Sequence, residues 1–190
     1  MRWRNTRKGY GWVAITLHWL VALVVFGLFG LGLWMVELTY YDPWYRQAPA
    51  IHKAVGVLLF LAVVGRLVWR WINPSPALPG SRIERIAARL VHGALYALLL
   101  AVMVAGYLIS TADGSAIDVF GLFSMPATVA DLPDQEDVAG VVHFWLAWTV
   151  IVLTGLHAAA ALKHQFIDRD GTLMRMLRPG DIDSPTRKGE

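Results

Sequence analysis

The chain has 190 residues, 56% of them hydrophobic and 16% charged, with 9 Trp, 6 His and no Cys. A soluble domain is roughly one-quarter charged, so this composition, with a mean hydropathy of +0.49, excludes an ordinary soluble fold and indicates a small multi-pass membrane protein. The missing Cys excludes structural disulfides, thiolate zinc sites, iron–sulfur clusters and covalent c-type haem, and in such a chain the net charge of +3 concerns the side of a membrane, with no nucleic-acid partner expected.

In chain order, a basic lead segment (Arg2, Arg4, Arg7, Lys8) precedes the first apolar run, about 13–36. This run is read as a span and not as a cleavable leader, because it is too long and no small-residue cleavage site follows it. Further spans are expected at about 54–72, 87–110 and 138–162, each near or above the roughly 20 residues that cross the hydrocarbon. The link between spans two and three carries Arg70, Arg82, Arg85 and Arg89, and the tail carries Lys163, Arg169, Arg175, Arg178, Arg187 and Lys188. The first outer loop has only Arg46 and Lys53. The second, 111–137, has no Lys or Arg but holds Asp113, Asp118, Asp131, Asp134, Glu136 and Asp137.

The positive-inside rule then puts both termini in the cytoplasm. Trp12, Trp19, Trp34, Trp44, Trp69 and Trp71 fall at the expected interfaces as anchors. The tail, 163–190, interleaves apolar and basic residues and is expected on the inner surface. The expected architecture is all-α: a single-domain four-transmembrane-helix bundle over residues 1–190, in a bacterial inner membrane, with lipid as its surroundings.

All six His residues lie in or beside apolar spans, where an ionisable side chain is costly and functional by default. His18 falls near the inner end of span one, His52 at the outer end of span two and His92 in the inner half of span three. Span four carries His143 near the outside and His157 fourteen residues later. That spacing returns within ~40° of the same face after a rise of ~21 Å. His52 is then the partner for His143, and His157 can pair with His18 or His92. Two imidazoles facing across an apolar slot suit a bis-histidine haem. Gly27, Gly30, Gly32, Gly56, Gly65 and Gly155 let helices approach a flat ring. His18 is favoured over His92 as the inner ligand because its span carries the glycine-rich face, leaving His92 a supporting role.

Zinc or copper would call for clustered ligands at i, i+4, or for Cys and carboxylate neighbours, and the spans supply neither. Arg66 follows His52 by fourteen residues and faces the same stripe at the inner level. A haem propionate or a quinone oxygen is its natural partner, the alternative being that it snorkels to the interface. His164, seven residues after His157, falls at the inner interface, where an imidazole can exchange a proton with a quinone head group.

These residues make the chain resemble the prokaryotic cytochrome b-561 family of four-helix di-haem b-type cytochromes, which includes the bacterial superoxide oxidase. The resemblance runs from about Tyr10 to Pro179. It rests on Leu17-His18-Trp19-Leu20, Ile51-His52-Lys53-Ala54-Val55-Gly56, Gly65-Arg66-Leu67-Val68-Trp69-Arg70, and the stretch from His92 to Tyr96. Phe120-Gly121-Leu122 with Pro126, the stretch from Leu156 to His164, and the tail from Asp168 to Pro179 complete it.

The resemblance implies two non-covalent haems, with His18 and His157 on the inner iron and His52 and His143 on the outer. It also implies ubiquinone at His164 and electron flow from periplasmic superoxide through both haems. The acidic second loop departs from what an anionic donor wants, leaving Arg46 and Lys53 as basic candidates for a donor entry and favouring a basic redox protein as the other donor. The expected activity is therefore that of a superoxide:ubiquinone oxidoreductase. The alternatives are a haem-binding anchor subunit for a dehydrogenase or c-type cytochrome and, in another class, a His-lined transporter.

Overall fold

The computed structural model describes residues 3–179. It contains four long helices, α1 (Trp12–Met35), α2 (Gln47–Ile72), α3 (Arg82–Ser110) and α4 (Gln135–Phe166). A small hairpin, β1 (Ile117–Val119) and β2 (Phe123–Met125), lies between α3 and α4, and a 3₁₀ turn at Met174–Met176 follows α4. All four helices are long and apolar enough to cross a membrane. Arg2, Arg187 and Lys188, which entered the charge count, lie outside the described residues, as does the tail from 180 on.

The first helix agrees with the apolar run to within a residue, whereas the other three start earlier than their runs. The reason is that helix ends are decided by caps as well as by hydropathy. In α3 the backbone N–H of Glu84 donates to Ser81 Oγ (3.3 Å) and that of Ser81 to Glu84 Oε2 (2.7 Å). This reciprocal capping box starts the helix at Arg82, well before the apolar run. At α4, Leu132 N–H donates to Gln135 Oε1, while Gln135 Nε2 donates to the carbonyls of Leu108 and Val129. Glu84, Glu136 and Asp137 therefore stand in first helical turns, where the helix dipole favours acids. The expectation that the spans contain no acid holds only for their apolar stretches.

The described chain forms two compact units. One comprises the residues up to Leu20, Val64–Leu95 and those from Val152 onward, and the other Val21–Val63 with Tyr96–Ile151. In the second, Val21, Leu59 and Val63 form a buried cluster, with Val25, Leu100 and Met103 packed against it. A further cluster joins Ala54 and Val57 of α2 to Ile117 and Val119 of the hairpin. The strands pair antiparallel, Val119 opposite Phe123. Phe120 and Gly121 are both left-handed in the turn, the combination that matches strand twist. Tyr107 fixes the strap after the hairpin, donating its hydroxyl to the Pro126 carbonyl (2.8 Å) and accepting from Thr128 N–H (2.7 Å).

In the first unit the tail is tied down at two points. Trp19 Nε1 donates to the Met176 carbonyl at 2.7 Å, and Arg175 Nη1 to the Ala77 carbonyl at 3.0 Å. Trp19 is thus a tie for the tail in addition to an aromatic at a helix end.

Candidate functional site

In the second unit α2 presents His52 and α4 presents His143, with ring centroids 6.1 Å apart and planes at 69°. The His143 Nδ1–H donates to the carbonyl of Val102 on α3 at 2.8 Å. That bond fixes the tautomer, leaving the Nε2 lone pair as a ligand atom. The carbonyl of a helical residue has a second lone pair to give.

Two glycines make room for these rings. A Cβ at Gly106 of α3 would sit 3.0 Å from His143 Cε1 and 3.1 Å from its Nδ1, and one at Gly32 of α1 would sit 3.3 Å from His52 Cε1. His52 Nδ1 is buried with no hydrogen-bond partner among the described residues. A buried ring nitrogen left that way is costly and calls for a ligand or a water. Lys53, on the next position of α2, is exposed.

In the same unit, a cleft is lined by Asp113, Asp134, Glu136 and Asp137. The Ser115 backbone N–H bound to Asp113 (2.9 Å) holds that carboxyl below its ordinary range, so it stays charged through mild acid.

In the first unit three histidines converge. His18 of α1 and His157 of α4 have centroids 6.3 Å apart with planes at 72°, and His92 of α3 lies 5.1 Å from His157. Arg66 Nη2 donates to His18 Nδ1 at 2.8 Å, so its guanidinium is among the histidines. His164 closes α4. Its Nδ1 bonds Asp170 Oδ2 at 2.7 Å and lies 3.0 Å from Asp168 Oδ2. Lys163 Nζ bridges Glu84 Oε1 (2.7 Å) and Asp168 Oδ2 (2.8 Å). Glu84, His164 and Asp168 cluster closely enough to suggest a metal site, but the ammonium of Lys163 already bridges its two carboxylates.

The donor set fits a haem. Two imidazoles on one iron need centroids about 6 Å apart, from two N–metal bonds of roughly 2 Å and two ring radii of about 1 Å. The His52–His143 and His18–His157 pairs have that separation, and His92–His157 is shorter. Neutral nitrogen ligands without thiolate suit iron in a macrocycle better than a bare soft metal. Gly27, Gly30, Gly56 and Gly155 face open space within 4 Å of where a Cβ would stand.

Sequence reading missed Gly106, the Val102 carbonyl and Asp170. Gly106 was detectable as a small residue among the Val, Leu and Tyr of span three. Asp170 was detectable as an acid shortly after His164, and the carbonyl leaves no trace in a sequence.

This four-helix, histidine-paired arrangement is that of a membrane cytochrome b. Residues 9–179 match the family model described as prokaryotic cytochrome b561, and the chain belongs to that family. It is 54% identical over 185 residues to "Cytochrome b561 homolog 2" of Escherichia coli (strain K12), covering 96% of this chain and 98% of that one. It is 30% identical over 174 residues to "Probable superoxide oxidase CybB" of Yersinia pestis, covering 90% and 96%. It is also 30% identical over 178 residues to "Cytochrome b562" of Cereibacter sphaeroides, covering 90% and 96%. The protein is accordingly an integral membrane electron-transfer protein with b-type haem as the family's cofactor.

Proposed function

We propose that this chain carries electrons between a periplasmic donor and ubiquinone near the cytoplasmic side of a bacterial inner membrane, using two non-covalent b haems. The observation that carries this reading is the pair of facing histidines in each unit, at 6.1 and 6.3 Å. His52 and His143 hold one iron, and His18 and His157 the other. When bound, haem supplies reversible one-electron exchange at iron, with no group transfer.

The protein's part is to fix ligands and charge. Val102 holds His143 in the ligating tautomer. Ligation of His18 through Nε2 requires a proton on Nδ1, which then turns Arg66 away and frees its guanidinium for a haem propionate. His92 packs against His157 as a supporting ring. His164 meets the quinone head group. Both termini are cytoplasmic, the whole chain acts as one transmembrane domain, and the tail lies on the inner surface.

The likeness to a superoxide oxidase supports superoxide as the donor, entering beside Lys53. Two superoxide ions give up one electron each and leave as oxygen, and one quinone takes up both electrons with two protons to become quinol. The acidic cleft at Asp113, Asp134, Glu136 and Asp137 favours a second donor, a basic redox protein drawn by opposite charge.

The deciding measurement is a reduced-minus-oxidised spectrum with a haem-to-protein ratio. Two b haems per chain are expected, and a haem-free protein rejects the reading. With quinone and superoxide present, quinol should form without hydrogen peroxide. Peroxide at the level of spontaneous dismutation, with no quinol, leaves the redox protein as donor.

A further inference from the structure

His164 is held by the tail through a short and specific set of bonds. Its Nδ1 donates to Asp170 Oδ2 at 2.7 Å, and both side chains are largely buried, 17% and 16% exposed. The other oxygen of Asp170, Oδ1, accepts from the Thr172 backbone N–H (2.9 Å) and from the Thr172 hydroxyl (2.5 Å). Asp170 is therefore clamped, with one oxygen committed to its own turn and the other to the imidazole. Among the described residues, the ion pairs at His164 also bring in Lys163 on α4, Glu84 on α3 and Asp168 after α4. The charge of Asp168 is shared with Lys163 through the same oxygen that approaches His164, so Asp170 is the carboxylate that acts on the ring. The ties from Trp19 to Met176 and from Arg175 to Ala77 keep this segment in place.

We propose that Asp170 is a positioning residue for proton delivery to the quinone, orienting His164 and selecting the tautomer it is left in. The proposal rests on the reading of His164 as the quinone contact. As the quinone takes up the two electrons that the cytochrome delivers, a quinone oxygen needs a proton. The His164 imidazolium breaks its Nε2–H bond, the proton forms the new O–H bond, and the ring is left neutral with its remaining proton on Nδ1. Asp170 accepts from Nδ1 in both the imidazolium and that neutral tautomer, so it holds the ring's orientation, keeps Nε2 as the atom that exchanges the proton, and stabilises the imidazolium between turnovers. The ring is reprotonated at Nε2 from the aqueous side, and the cycle repeats for the second proton.

Asp170→Asn separates this role from a structural one. The two Thr172 donors keep the Asn carbonyl on their side, so the amide NH₂ faces Nδ1 and disfavours a proton there. The test mixes pre-reduced holoprotein with a soluble short-chain ubiquinone and follows haem reoxidation. For D170N the saturating rate should fall roughly 10–100-fold and the half-saturating quinone concentration should change little. The solvent deuterium isotope effect should rise while haem content and spectra are kept. Asp170→Glu should recover much of the rate.

If His164→Ala slows reoxidation while D170N runs at the wild-type rate, Asp170 has no such role and the quinone reading stands. If both variants run at the wild-type rate, the two readings fail together. If D170N and D170E alike lose haem, Asp170 is only a tie for the tail and the proposal is overturned.

Discussion

A single backbone carbonyl, that of Val102, decides what the His143 ring can do. By accepting the Nδ1 proton it leaves Nε2 bare, and an imidazole without such a bond has two tautomers to choose from. The residue-scale prediction follows from the pairs. His52→Ala or His143→Ala should remove one haem from the spectrum and leave the other, and His18→Ala or His157→Ala should do the converse. Loss of the second haem in His92→Ala with retention in His18→Ala would reassign the inner ligand, as a haem-to-protein ratio for each variant would show. The six histidines were legible in the sequence because an ionisable ring in an apolar run stands out against its neighbours. Their distribution by depth already paired His52 with His143. The choice between His18 and His92 was less legible, because both converge on His157 and only the distances, 6.3 and 5.1 Å, separate them.

The helices were legible as elements, and their ends less so. Apolar runs report the part of a helix that meets hydrocarbon, whereas Ser81 with Glu84 and Gln135 start helices through polar bonds. The capping box was readable as Ser-x-x-Glu, but it lies before the apolar run and a hydropathy window passes it by. The hairpin was not readable, since three-residue strands are too short to show alternation; only the left-handed pair Phe120-Gly121 marks it. The role of α3 is also an element-scale property. It offers the carbonyl of Val102 and, one turn later, the missing side chain of Gly106, so one face of this helix both holds His143 and makes room for it. Gly106→Ala should therefore shift the ring and strain its bond to Val102, because contacts of 3.0 and 3.1 Å are tighter than nearly all that a Cβ makes. We expect the outer haem to be lost or its spectrum shifted with the inner one unchanged. Gly32→Ala, at 3.3 Å, should do less. Potentiometric titration of both variants checks the order.

For the molecule as a whole, a net charge of +3 hides a division between segments rich in Lys and Arg (both termini and the link) and a second loop with acids alone. Placing the positive segments in the cytoplasm predicts that a reporter enzyme active only in the periplasm is silent at the C-terminus and active when inserted near Asp131. The reverse pattern would invert the proposed direction of the chain and put His164 on the outer side. Four helices and a family were readable from composition and motifs. The division into two compact units was not, since it cuts every helix within its apolar run, where hydropathy gives no boundary. The helix α4 has one more consequence. It gives His143 to one facing pair and His157 to the other, and it is the last of the four helices to be translated. Until it enters the membrane neither facing pair exists, and His18, His52 and His92 each lack the partner that α4 brings. On the proposed ligand sets, electron traffic would therefore begin only when synthesis is almost over, and a chain truncated after Ser110 should purify without haem.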